Sequence, residues 1–92
     1  MALPFDISEV ELLPLKPVGG MVAWASMLVN QSLYLGSIGV HIRPGGGVRL
    51  VYPQRTLPNG KTISLFHPTN RHTGDLFESV VEAKLTVLTS KM

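Results

Sequence analysis

The stretch Val48–Pro68, VRLVYPQRTLPNGKTISLFHP, decides the fold. Val48, Leu50 and Tyr52 alternate with Arg49 and Val51, the period of a half-buried strand. Tyr52-Pro53 ends that strand, because proline has no N–H to give to a ladder. Residues 53–60 read as a loop. Within it Pro58 presets φ for a type I turn, Asn59 suits the next position, and Gly60 supplies the left-handed residue of a bulged hairpin. Thr62–Phe66 is the return strand, and His67-Pro68 stops it.

Upstream, residues 6–15 alternate around Glu9 and Glu11 on one face and Val10 and Leu12 on the other, with Pro14 marking an edge strand or a strand end. Pro17 and Gly19-Gly20 form the next turn. Residues 21–29, MVAWASMLV, are apolar on both faces, which predicts a strand covered on both sides, by a helix of this chain and by a partner subunit. Asn30-Gln31-Ser32 is a short hairpin loop. Leu33–Arg43 is a strand interrupted by Gly36 and Gly39, a pattern of bulges or close backbone approach. Pro44-Gly45-Gly46-Gly47 is a turn and not a phosphate loop, since no Lys-Ser/Thr follows it.

Downstream, the spacing of Phe77, Val80, Val81, Lys84, Leu85 and Leu88 predicts a helix over 73–88, with Thr73 as N-cap and Asp75 in the first turn. Glu78 and Glu82 are expected to face solvent. The fold class is therefore α+β: an antiparallel sheet of four or five strands with one C-terminal helix, in a single domain over residues 1–92.

The chain is 45% hydrophobic and only 15% charged, so a monomer would expose much apolar surface; burial against a second copy is the simplest remedy. A net charge of +2 permits an anionic partner without requiring one. With no cysteine, disulfides and thiolate metal sites are excluded. The N-terminal MALPFDISEV lacks the basic and apolar regions of a signal peptide, and the apolar run Met21–Val29 is too short to span a bilayer. A cytoplasmic setting is expected, with no membrane partner.

The chain resembles the SpoVG family, small bacterial proteins named for septation and sporulation phenotypes. The resemblance rests on Ala23, Ala25 and Ser26, on Ile38 and Val40, on Tyr52-Pro53-Gln54-Arg55, on the Pro58-Asn59-Gly60 turn, and on His67-Pro68 ahead of the helix. It runs from about residue 6 to residue 88. It implies an antiparallel sheet with a C-terminal helix, a homodimer, and non-enzymatic binding of DNA and, in some members, RNA for gene regulation. Where the family carries two adjacent basic residues after the strand-end proline, this chain has only Arg55. Gly74 and Leu76 stand at the family's basic positions near the helix start, although Arg71 and His72 lie just before.

The expected nucleic-acid-binding residues are Arg55 and Lys61 on the hairpin, with Arg49 nearby and Arg71 and His72 at the helix N-terminus. Arg43 belongs to the same basic set. His41, His67 and His72 have no metal-ligand spacing, and no nucleophile–base arrangement stands out, so neither a catalytic nor a metal site is assigned and no cofactor or small-molecule substrate is expected. His67 is expected to bond a nearby backbone carbonyl. Trp24 is expected in the core or a dimer contact, and Tyr52 beside the basic loop is the better candidate for stacking on bases. The second reading is a non-catalytic protein-interaction module that keeps the fold and has lost most nucleic-acid affinity.

Overall fold

The computed structural model describes residues 6–90; Met1–Phe5, half of the segment read for a leader, lie outside the described residues. Four strands, β1 (Ile7–Val18), β2 (Met21–Val29), β3 (Leu33–Ile42) and β4 (Val48–Val51), form an antiparallel sheet in the order β1-β2-β3-β4. Each strand pairs with its neighbour in sequence, as short glycine- and asparagine-rich turns dictate. A separate two-stranded ribbon follows, β5 (Gln54–Thr56) and β6 (Thr62–Ser64), and then one helix, α1 (Arg71–Ser90). The architecture is α+β, with a C-terminal helix on an antiparallel sheet.

β1 runs beyond the expected end at residue 15 and continues through Pro14 and Pro17 to Val18. It can do so because it is an edge strand, where a missing N–H costs no ladder bond on the outer side. The Asn30-Gln31 turn takes two left-handed residues, with φ of 52° and 57°. Its Asn30 N–H donates to the Asp6 carbonyl at 2.6 Å, tying the start of β1 to the hairpin. The glycine signals in β3 have distinct outcomes. Ala25 pairs with Ile38 but Met27 with Leu35, so an extra β3 residue bulges around Gly36-Ser37. At Gly39 a side chain would meet Met21 Cε at 3.3 Å and Val51 Cβ at 3.6 Å, so glycine is the residue that fits.

The core lies between α1 and one face of the sheet. Ala23, Ala25, Met27 and Val29 of β2, Ile38 and Val40 of β3, and Val48 and Leu50 of β4 meet Phe77 and Val81 of the helix. Small Ala23 and Ala25 let the helix approach the centre of the sheet closely. The other face of β2 is not covered by this chain, contrary to the expectation of cover on both sides, and Trp24 there is exposed and not in the core. One helix can lie over only one face.

The helix start differs from the sequence reading. Asn70 is the N-cap, its Oδ1 accepting from the Thr73 N–H at 2.8 Å, while Thr73 itself is buried in the first turn. The helix therefore begins at Arg71, two residues early, and Asp75 falls outside the first turn, 3.9 Å from Arg71. Asn70→Ala is expected to cost about 1 kcal/mol of unfolding free energy. Ile38→Ala, which opens the fully buried centre of the core, should cost about 2–5 kcal/mol. Urea denaturation followed by circular dichroism measures both.

Candidate nucleic-acid interface

The loop expected over residues 53–60 is in part a strand. Gln54, Arg55 and Thr56 pair with Ser64, Ile63 and Thr62. The turn between them is the predicted one: the Gly60 N–H donates to the Leu57 carbonyl at 2.9 Å, and the Leu57 N–H donates to the Lys61 carbonyl at 2.7 Å. Gly60 takes φ of 86° and completes the bulge. The Asn59 side chain locks the tip by accepting the Lys61 N–H at 3.0 Å. Thr62–Ser64 is shorter than the return strand expected through Phe66.

All six residues of β5 and β6 are exposed, and no extended contact ties either strand to the four-stranded sheet or to the helix. The ribbon stands off the body and is anchored at its root. There Tyr52 and Phe66 meet edge to face, ring centroids 6.0 Å apart at 73°, and the Leu65 N–H donates to the Pro53 carbonyl at 3.0 Å. Alternation along the paired strands puts Arg55 and Ile63 on one ribbon face, and carried one residue past the ladder it puts Lys61 on the same side. Arg55 and Lys61 are exposed and hold no ion pair among the described residues.

The other basic candidates lie elsewhere. Arg49 projects from β4 on the face opposite the helix, between buried Val48 and Leu50, and is paired in register with His41. Arg71 and His72 sit in the first turn of the helix on the other layer; the Arg71 side chain is 94% exposed, and its 3.9 Å approach to Asp75 holds it weakly. The four-stranded sheet therefore separates Arg49 from the helix-borne pair. Arg43 drops out of the basic set. Its guanidinium bonds both oxygens of Glu78, at 3.1 and 3.2 Å, and donates to the Val48 carbonyl at 3.0 Å. Glu78, expected in solvent, is thus partly buried as the anchor of the β3–β4 turn to the helix.

The histidines form no site. His67 Nδ1 lies 2.8 Å from the Pro68 carbonyl oxygen, the backbone contact expected of it. Among the described residues no group of three or more His, Asp or Glu is placed to hold a metal ion, and no helix is long and apolar enough to cross a membrane. No protein-family model matches the chain, and no curated protein matches it. Function is therefore read from the residues themselves.

Tyr52 is half-buried, so its ring is committed to the ribbon root and is not open for stacking on a base. Its hydroxyl is buried without a hydrogen-bond partner among the described residues. Burial pushes the phenol well above its ordinary range, and the Glu78 carboxylate adds to the shift. The folded state thus holds this proton where the unfolded chain, titrating near pH 10, releases it. Stability is lost as pH rises past about 10. Tyr52→Phe is expected to flatten that alkaline loss and to leave stability at pH 7 unchanged or higher, since it removes an unpaired buried hydroxyl. Denaturant midpoints at pH 7 and above pH 10 check both parts.

Proposed function

We propose that the chain is a SpoVG-like nucleic-acid-binding regulatory protein that acts as a homodimer, and that the β5–β6 ribbon is its reading element. The observation that carries this is the detached ribbon itself. A two-stranded antiparallel ribbon fits the major groove of B-form DNA, whereas the major groove of an RNA duplex is too deep and narrow for it. Arg55 and Lys61 supply cations on one ribbon face, and Arg49 on the adjoining strand extends them toward the body. Ile63 adds an apolar contact of the kind that meets thymine methyl groups. Arg71 and His72, on the other layer, are a separate and lesser contact to phosphate.

Affinity on this reading is mainly electrostatic and modest, because few charges are available to neutralise phosphates. Duplex DNA is bound in preference to duplex RNA. A protein-interaction role for the apolar sheet face is the second reading, favoured by the exposure of Trp24.

Fluorescence anisotropy with labelled duplex DNA, duplex RNA and single strands, at several salt concentrations, tests the proposal. Arg55→Ala/Lys61→Ala is expected to weaken duplex DNA binding and to flatten the log–log salt slope by about 1.8, at roughly 0.9 per lost phosphate contact. Arg71→Ala should change affinity less. An unchanged slope in the double variant, or no binding by the parent chain even at low salt, refutes the ribbon assignment.

A further inference from the structure

We infer that the sheet face opposite the helix is where two copies of this chain meet. This rests on the dimer of the proposed function and identifies its surface; nucleic-acid binding plays no part in it.

The face is built on one cross-strand row. Leu13 pairs with Trp24, Trp24 with Gly39, and Gly39 with Val51, so the row crosses all four strands. Leu13 is 67% exposed, Trp24 44% and Val51 41%, and Tyr34 on the same face is 69% exposed. A contiguous apolar surface of this kind on a small chain marks an interaction site.

Its relief suits a copy of itself. Trp24 stands between two hollows. One, of about 530 Å³, is lined by Glu11, Leu13, Ser26, Tyr34 and Ser37. The other, of about 350 Å³, runs over Met21, Gly39, His41 and Val51 to the ribbon root. A two-fold contact places the same patch on both sides, so it requires a patch that carries its own protrusion and its own depression. The indole and the hollows beside it meet that requirement. The charges on this face also permit self-association: Glu11 near one edge and Arg49 near the other balance, so two copies do not repel.

The area agrees. A compact monomer of 10.0 kDa exposes about 5,200 Å², and this chain exposes 6501 Å², an excess of about 1,300 Å². A standard interface covers about 800 Å² per partner. The radius of gyration, 13.9 Å, also exceeds the roughly 12 Å of a compact chain of this length. The surplus is of the size that a second sheet, packed face to face, removes from water.

Trp24 is the only tryptophan, so it reports on this face directly. The test combines sedimentation mass, without nucleic acid, with iodide quenching of tryptophan emission. The expected result is twice the 10.0 kDa chain mass at micromolar concentration, with Trp24 shielded and its emission shifting to the red on dilution. Leu13→Glu and Tyr34→Ser alter exposed side chains. Each should return the chain to 10.0 kDa and raise iodide quenching severalfold with unchanged far-ultraviolet circular dichroism, while Leu65→Ser on the ribbon side leaves the dimer intact. A parent chain at 10.0 kDa at about 100 µM overturns the inference, as does a dimer in which Trp24 stays open to iodide. Protection of Trp24 by single-stranded oligonucleotide in a 10.0 kDa species also overturns it, and gives the face to nucleic acid.

Discussion

A single helix lying across a single face of the sheet is the constraint on which the rest depends. Phe77 and Val81 can reach Ala23, Ala25, Ile38, Val40 and Leu50 only on the side where those residues point. The pleat then commits every alternate residue to the opposite side. Trp24, Leu13 and Val51 are outward because the core residues beside them are inward. The same helix also fixes the β3–β4 turn, through Glu78 and Arg43, and so sets where β4 ends and the ribbon begins. Removing a cation from the interface is the consequence of that anchoring, since an arginine engaged by both oxygens of a carboxylate and by a backbone carbonyl is no longer free to meet phosphate.

Much of the fold was legible because turn chemistry punctuates this sequence heavily. Gly19-Gly20, Asn30-Gln31, Gly46-Gly47 and Pro58-Asn59-Gly60 each supply the left-handed residues or preset φ that a reversal needs, and between them only antiparallel neighbours are geometrically available. What failed to show were the features decided by contacts distant in sequence. Met21–Val29 is apolar on both sides, so alternation could not say which face the helix takes or that the other is left open. Asn70 and Thr73 are both good capping residues three apart. The choice fell to Asn70 because Thr73 is needed in the buried first turn, which only the docked helix reveals. The Arg43–Glu78 pair joins residues 35 apart, and no local spacing points to it.

The candidate site was legible in part, for the same reason. Arg55 and Lys61 were found because they flank a recognisable turn. Their strand character was not, because Gln54-Arg55-Thr56 is polar throughout and follows a proline, so no hydrophobic period marks it. Arg49 was placed on the right face by its alternation with Val48 and Leu50, but its separation from Arg71 and His72 is a property of layer order and emerges only once the helix is seen on the opposite side of the sheet.

A three-residue, two-stranded ribbon is marginal by itself in water. Here two local features hold it: a turn closed by backbone bonds and the Asn59 side chain at its tip, and the Tyr52–Phe66 contact at its root. Between them its side chains are free of the core, so they can change without disturbing the fold, while the root keeps their direction relative to the sheet. Stability and recognition are thereby assigned to different parts of one small chain. The second hollow beside Trp24 reaches Pro53 and Gln54, at the base of this ribbon. A copy of the chain seated there would brace the ribbon root and set the spacing between the two ribbons of the pair. The apolar face and the basic ribbon are therefore joined mechanically: what covers the first fixes the reach of the second.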